Sequence, residues 1–450
     1  MATRPTTTDL PPTQAERAIR RRIARHGPIT FADFMAAALY APGGYYTRST
    51  AGDDYYTSPR IHPAFGALLA IQLFHLWDLL ESPNPFTVAE PGGGDGLLCR
   101  DILSAARHLP DGFPDAIRYT IIDPLPAPGH EKSFPNATRV AADALSADAL
   151  SIDPSSLPSP AHCILSNELL DALPVHRVRM AGGSMRELYV DVESDVADGY
   201  EGALVEISGE PSTPALATRL SDLGITLDDG QTAEICLLLD AWAGATAALL
   251  DTGFAITIDY GRAAADLYDP NARPHGTLVT YRNHRQTDAP LHDVGRQDIT
   301  AQVDFTSAQR SAEASGLTTV GNVPQGAFLQ RLGLQTIRRR PPLDADGSGW
   351  LTIPAGPDGL PPAALPDAFG APPDDSRAWL TNLTHLAQPG GLGDFRVLLQ
   401  SKGLPSERAA AALSWLDGQP AQHGYTPSSL AAMIPPESLV LGPEHIRLTQ

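Results

Sequence analysis

Short apolar runs, each closed by an acid and followed by a stretch of different periodicity, recur through the middle of this chain. TVAE, Thr87 to Glu90, opens at once onto glycines, and RYTIID, Arg118 to Asp123, ends on a second acid. ATRVAADAL, Ala137 to Leu145, repeats the pattern weakly with Asp143. HCILSNELLDALPV, His162 to Val175, runs apolar and then releases Asn167, Glu168 and Asp171. Between the first two runs, Leu97 to Arg107 is compatible with a helix. Ahead of them His62 to Leu80 has helical apolar spacing and should pack just before the first strand. Strands alternating with helices predict an α/β core built on a doubly wound sheet.

Beyond that core, the alternation in HRVRM and MRELYVDV predicts a hairpin turned by Gly182 and Gly183, an insertion placed to lie over the cleft. Thr232 to Leu250 reads as a helix feeding the strand GFAITIDYG, Gly253 to Gly261. Prolines crowd 341–375 without an apolar period, which marks a linker or a draped surface segment. Ser406 to Gly418 reads as a helix, and the tail from Tyr425 has no decisive signal. The expected divisions are an N-terminal helical extension, 1–60, and a core, 61–334, with insertions at about 176–231 and 262–325. A C-terminal part, 335–450, carries a closing strand near 394–400.

Composition narrows the partners. A formal net charge of −20 over 450 residues argues against broad nucleic-acid contact and suits a basic peptide. The local basic run Arg17 to Gly27 reads as a solvated helix face in preference to a membrane anchor. No apolar segment reaches the roughly 18 residues of a membrane span, and MATRPTTTDLPPTQ lacks a signal-peptide core. The expected compartment is the cytoplasm, or the mitochondrial matrix in a eukaryote. Prolines and early acids weigh against a transit peptide. Cys99, Cys163 and Cys236 are far apart in apolar surroundings, so reduced core thiols are expected, and no metal site. His62 and His75 read as surface or internally satisfied histidines.

Chemistry gathers at the strand ends, which in open α/β sheets face the ligand crevice. Gly92, Gly94 and Gly96 let the backbone turn tightly and approach a ligand, though glycine clusters also form plain loops. Glu90 would repel a diphosphate and suits the cationic amino acid end of S-adenosylmethionine; the lysine of a phosphate-binding loop is absent. Asp123 is placed to accept two ribose hydroxyls. Asp143 is a candidate for the adenine amine and equally for a helix cap. Glu168 and Asp171, beside Asn167, could hold a guanidinium together; alternatively Asp171 caps a helix and Glu168 is solvated. Tyr260, Tyr281 and His284 are candidates to line an acceptor channel, with packing as the other reading of the tyrosines.

These residues stand in blocks that resemble the MidA-like methyltransferases. The likeness runs through GPITFADFMAAALYAPGGYY (Gly27 to Tyr46), YYTSP (Tyr55 to Pro59), the glycine loop, and NELLDALPV (Asn167 to Val175). It continues in GFAITIDYG, GTLVTYRNH (Gly276 to His284), DITAQVDFT (Asp298 to Thr306) and QGAFLQRLG (Gln325 to Gly333), with a weaker echo at Gly391 to Gly403. The resemblance implies a Rossmann-like class I methyltransferase core: a mostly parallel seven-stranded sheet with helices on both faces. It implies S-adenosylmethionine as cofactor and S-adenosylhomocysteine as product. It further implies arginine N-methylation of a protein, a subunit of the respiratory NADH dehydrogenase (complex I) during assembly. By motif, Glu90, Gly92, Gly94 and Gly96 fall in the cofactor loop, Asp123 at the ribose position, and Glu168 and Asp171 in the acidic loop.

The chain departs from the family pattern at Arg60, where an acid is usual after TSP, at Pro124, and at Gln302, where histidine is frequent. These departures leave the cofactor expectation intact and open the identity of the methyl acceptor. A non-catalytic cofactor-binding assembly factor and a small-molecule methyltransferase are the alternatives, and a dehydrogenase ranks last. Homodimer formation stays open.

Overall fold

The computed structural model describes residues 11–47, 56–123, 130–141, 160–193, 202–283, 285–341, 374–417, 424–442, 444–446 and 448. Asp143, Pro124 and His284 lie outside the described residues, as does nearly all of the proline-rich 341–375 segment.

The acid-ended apolar runs become the middle of one seven-stranded sheet. Its strands are β1 Phe86–Pro91, β2 Ile117–Ile122, β3 Ala137–Val140, β4 Ala161–Asn167, β5 Leu250–Asp259, β6 Thr318–Pro324 and β7 Arg396–Lys402. In space the order is β3-β2-β1-β4-β5-β7-β6. From β3 to β5 every pairing is parallel, and β7 runs antiparallel to both β5 and β6. The order reverses between β1 and β4, and this is where such sheets hold ligands. Both motif loops, Gly92 to Gly96 and Glu168 to Asp171, leave the carboxyl ends of those two strands.

Alternation along the central strands explains the two layers of helices. Val88, Cys163, Phe254 and Ile256 point to helices α1 Ala64–Leu79 and α2 Leu97–Ala106. Ala89, Ile164 and Ala255 point the other way, to α3 Leu239–Leu249 and α4 Phe305–Ala314. Parallel strands covered on both faces read as continuous apolar runs, as β1 does, with all six residues buried.

Every residue of α1 is buried, so this helix has no solvent face. The C-terminal helix Ser406–Ser414 covers its outer side. There Gln72 Nε2 donates to the carbonyl of Ala412 at 3.0 Å, and His75 Nε2 lies 3.0 Å from the carbonyl of Ala411. The surface option for His62 and His75 therefore fails. The His62 Nδ1 accepts the Ala64 N–H at 2.9 Å, and His75 stacks on Trp415 with ring centres 4.0 Å apart. Burial pushes the His75 imidazole down to about 4.

A second, antiparallel sheet stands beside the carboxyl edge of the first. The expected hairpin pairs His176–Ala181 with Ser184–Val192, and Gly182 and Gly183 turn it with φ of +60° and +75°. Leu204–Gly209 and the two-residue strand Ile29–Thr30 also pair with Ser184–Val192. The N-terminal helix Phe31–Tyr40 buries Phe31, Phe34, Met35 and Leu39 in the same layer, together with Val190 and Ile299.

One element differs from expectation. Thr232 to Leu250 divides into a strand, Thr232–Ile235, and helix α3 from Leu239. The strand pairs with His176–Arg179. Thr232–Ile235, TAEI, alternates polar and apolar residues over too few positions to set a period, and pairing decides.

The three cysteines form no disulfide with one another; Cys99 and Cys163 are buried and Cys236 is partly exposed. Among the described residues no helix is long and apolar enough to cross a membrane.

Candidate active site

Past β1 the chain turns on three glycines with positive φ: Gly92 at +72°, Gly94 at +51° and Gly96 at +84°. A Cβ on Gly92 would sit 2.7 Å from Leu169 Cδ1, so this glycine lets the two motif loops pack together. At Gly94 a Cβ would meet nothing within 4 Å, and its bare backbone faces open space at the sheet edge. The Gly94 N–H donates to Asp123 Oδ2 at 3.0 Å, which ties the loop to the end of β2. Beneath it Glu90 is 3% exposed, with one carboxylate oxygen lacking a hydrogen-bond partner. Burial pushes its carboxyl up to about 8, against the Tyr119 hydroxyl and the Arg139 charge, which pull it down. A cation brought to Glu90 would restore its negative charge.

The acidic loop is held from β5. Glu168 adopts φ +50°, uncommon for a residue with a side chain, and its N–H donates to the carbonyl of Ile258 at 2.8 Å. The Asp259 Oδ2 accepts three successive amides, from Leu169 (3.1 Å), Leu170 (2.8 Å) and Asp171 (3.3 Å), while Oδ1 accepts that of Tyr260 at 2.8 Å. Beyond Glu168 the chain makes a three-residue 3₁₀ turn, Leu170–Ala172, whose N-cap residue, Leu169, makes no side-chain cap bond. The reading of Asp171 as a helix cap beside a solvated Glu168 is thereby corrected: Asp259, not Asp171, holds the turn. Glu168 Oε1 accepts the Ser58 amide at 2.9 Å and Asn167 Nδ2 at 3.0 Å.

Burial dominates the electrostatics here. It pushes Glu168 up to about 8, with the Asp171 charge adding to the rise. Asp171 goes up to about 7, with the Tyr260 hydroxyl beside it pulling down. Asp259 is raised well above the ordinary carboxylate range by burial and by Asp171 and Glu168. Three acids thus crowd one another in a buried setting that favours their neutral forms.

Facing them is a wall drawn from distant parts of the chain. The amide of Ala301 donates to the Asp171 carbonyl at 3.1 Å, and that of Val303 to the Tyr260 carbonyl at 3.0 Å. Tyr281 lies opposite Asp298 in a small sheet, and after burial the charges of Asp171 and Asp298 raise its hydroxyl. Tyr40 donates to the Ala172 carbonyl at 2.7 Å, Tyr46 to Asp298 Oδ1 at 2.9 Å, and their rings stack 5.5 Å apart. Asn167 Oδ1, Asp171 Oδ1 and Gln302 Oε1 are buried acceptors without a hydrogen-bond partner among the described residues. Buried acceptors of this kind call for a donor.

Comparison with known proteins identifies the family. The model of a family described as putative S-adenosyl-L-methionine-dependent methyltransferases matches residues 68–323. The chain belongs to that family. It is 28% identical over 335 residues to the Drosophila melanogaster homologue of the mitochondrial protein arginine methyltransferase NDUFAF7, covering 70% of this chain and 74% of that one. To the Homo sapiens protein arginine methyltransferase NDUFAF7, mitochondrial, it is 27% identical over 356 residues, covering 72% and 74%. A likely methyl transferase from Burkholderia thailandensis, solved with S-adenosyl-homocysteine, superposes with a TM-score of 0.67 at 24% identity, over 89% of this chain and 94% of that one. A native structure of an uncharacterized protein from the same organism gives 0.65 at 25% identity, over 88% and 93%.

The fold is the expected class I methyltransferase fold, and the cofactor of this family is S-adenosylmethionine. The residues fit it: the open backbone at Gly94, the acid Asp123 at the second strand end, and the buried, half-satisfied Glu90 for a cationic group. Of the candidates read from sequence, the structure brings together Glu90, the three glycines and Asp123, and separately Asn167, Glu168, Asp171, Tyr260 and Tyr281. Sequence reasoning left Ser58, Tyr40, Tyr46, Asp259 and Asp298 without roles. All five lie in the motif blocks, and that clustering was the available signal.

Proposed function

We propose that this methyltransferase transfers a methyl group to an arginine side chain of a protein, a subunit of the respiratory NADH dehydrogenase or a similar assembly client. The observation that carries the reading is the set of partnerless buried acceptors, Asn167 Oδ1, Asp171 Oδ1 and Gln302 Oε1, beside acids that face no paired Arg or Lys among the described residues. A guanidinium supplies five N–H donors and one positive charge, which meets both needs. Relatives named as protein arginine methyltransferases support the same choice. The net charge of −20 favours a basic partner. The proposed setting is the cytoplasm or, as in the relatives' names, the mitochondrion.

When bound, S-adenosylmethionine supplies a sulfonium methyl to a nucleophile. The work of the protein is then alignment and removal of water. Glu90 and Asp123 would hold the cofactor at the glycine loop. Glu168 and Asp171 would grip the guanidinium and localise its charge so that one nitrogen keeps a lone pair. A guanidinium is too basic to lose its proton beforehand, so the proton leaves as the new N–C bond forms. The carboxylate that grips the guanidinium is placed to accept that proton.

The test is to incubate the purified protein with methyl-labelled cofactor and isolated NADH dehydrogenase subunits, and to analyse the products by mass spectrometry. Methylated arginine in one subunit is the expected result. Tight cofactor binding with no methylated product would turn the reading to a non-catalytic assembly factor, and label in a small molecule to a small-molecule methyltransferase.

A further inference from the structure

The short helical turn Ser58–Ile61 joins the two loops of the site. At its start the Ser58 amide donates to Glu168 Oε1 at 2.9 Å. Two residues on, Arg60 Nη2 meets Asp95 Oδ2 at 2.9 Å, and Asp95 Oδ1 accepts the Leu97 N–H at 3.1 Å to start helix α2. Asp95 stands between Gly94 and Gly96, both with positive φ; its carbonyl also accepts the His130 amide at 3.2 Å, and its Oδ2 lies 3.8 Å from His130 Nε2.

The back of the turn is fixed. Its Ile61 amide closes on the Thr57 carbonyl at 3.2 Å, and the Arg60 carbonyl accepts the Ile446 amide at 2.8 Å. Asn382 Nδ2 bridges the carbonyls of Ile61 and Ile446 at 2.7 and 2.5 Å. Ser58 and Arg60 therefore sit on one short turn held by a C-terminal brace.

We propose that Arg60 is a positioning residue that couples occupancy of the glycine loop to the setting of Glu168. The departure at position 60 then serves the cofactor side and not the acceptor. The inference rests on the reading of Glu168 as the acceptor-side acid, but its mechanical core is the chain Asp95, Arg60, Ser58, Glu168. Coupling of this kind is reciprocal: whatever orders the loop orders the acid, and the converse.

The experiment is amide hydrogen exchange of the full chain with and without saturating S-adenosylhomocysteine, together with calorimetric titration of that product. In the native protein, saturation slows exchange at the Ser58 amide. In Arg60→Ala, product binding weakens about fivefold, the upper range for a partly exposed ion pair, and the slowing at Ser58 is lost even at saturation. Arg60→Lys restores part of both. Asp95→Asn, whose amide oxygen still accepts the Leu97 N–H, breaks the pair from the other side and gives the same loss, which covers a failure of Arg60→Ala to fold. Equal slowing at Ser58 in the native protein and in either variant overturns the proposal. The readout needs no methyl acceptor, so a failure of the arginine reading registers separately.

Discussion

Asp259 and Leu170 meet at 2.8 Å, the shortest of three bonds by which one buried carboxylate oxygen gathers consecutive amides of the acidic loop. The loop takes its shape from this anchor and not from a helix. Glu168 is thereby held in a left-handed conformation that a free chain would leave.

Asp259→Ala should strand those amides. Each unsatisfied buried donor costs about 1–3 kcal/mol, and partial relaxation leaves an expected loss of roughly 3 kcal/mol in all. Denaturant unfolding should show that loss. Methyl transfer should fall at least tenfold while S-adenosylhomocysteine affinity stays within about threefold, since the glycine loop is held from Asp123 instead. Unchanged turnover would remove Asp259 from the positioning of the site.

Gly94→Val tests the cradle. An added Cβ meets no protein atom within 4 Å, so the variant should fold, at a cost of about 1–2 kcal/mol for a branched residue at φ +51°. It would project where the cofactor should lie. Calorimetry should find binding of S-adenosylmethionine and S-adenosylhomocysteine weakened at least a hundredfold. Native affinity in the variant would place the cofactor elsewhere.

The cofactor half of the site was legible because its determinants are local. Glycines without Cβ and an acid at a strand end keep their meaning in one dimension, and parallel pairing of β1, β2 and β4 brings them to a common edge. The acceptor half depends on contacts between residues far apart in the chain. Ser58 and Glu168 are separated by 110 positions, and Leu169 and Asp259 by 90. No spacing rule spans such gaps. The all-round burial of α1 was hidden for the same reason, since its covering helix begins at Ser406.

Glu168→Gln keeps the shape and removes the charge. Its amide oxygen can still accept the Ser58 N–H, so folding and cofactor binding should match the native protein. Methyl transfer should drop by two orders of magnitude or more, within the range for loss of a proton-accepting group. Retained turnover would refute the role of Glu168.

The raised acids set a pH signature whose sign differs from the usual carboxylate case. Glu168 moves from 4.5 up to about 8 and Asp171 from 3.8 up to about 7, both through burial. Folding therefore favours their protonated forms. Their contribution to stability is full below about pH 4 and is lost as pH rises through 7 to 8. For the cofactor-free protein, unfolding midpoints measured from pH 5.5 to 8.5 should fall with pH, and the fall should be smaller in Glu168→Gln and smaller again with Asp171→Asn added. Binding of a cationic acceptor needs the ionised acids, so turnover should rise over the same interval and level off above pH 8. Asp259, Tyr260 and Tyr281 share the cluster, yet burial raises all three, so none supplies a positive charge to offset the trend. The buried histidines act in the opposite sense below about pH 6.5, since burial pushes them down, so the readout is the difference between the native protein and the variants. Equal pH slopes in all three proteins would mean that a cation already neutralises these acids in the folded protein, and the guanidinium site would have to be sought elsewhere.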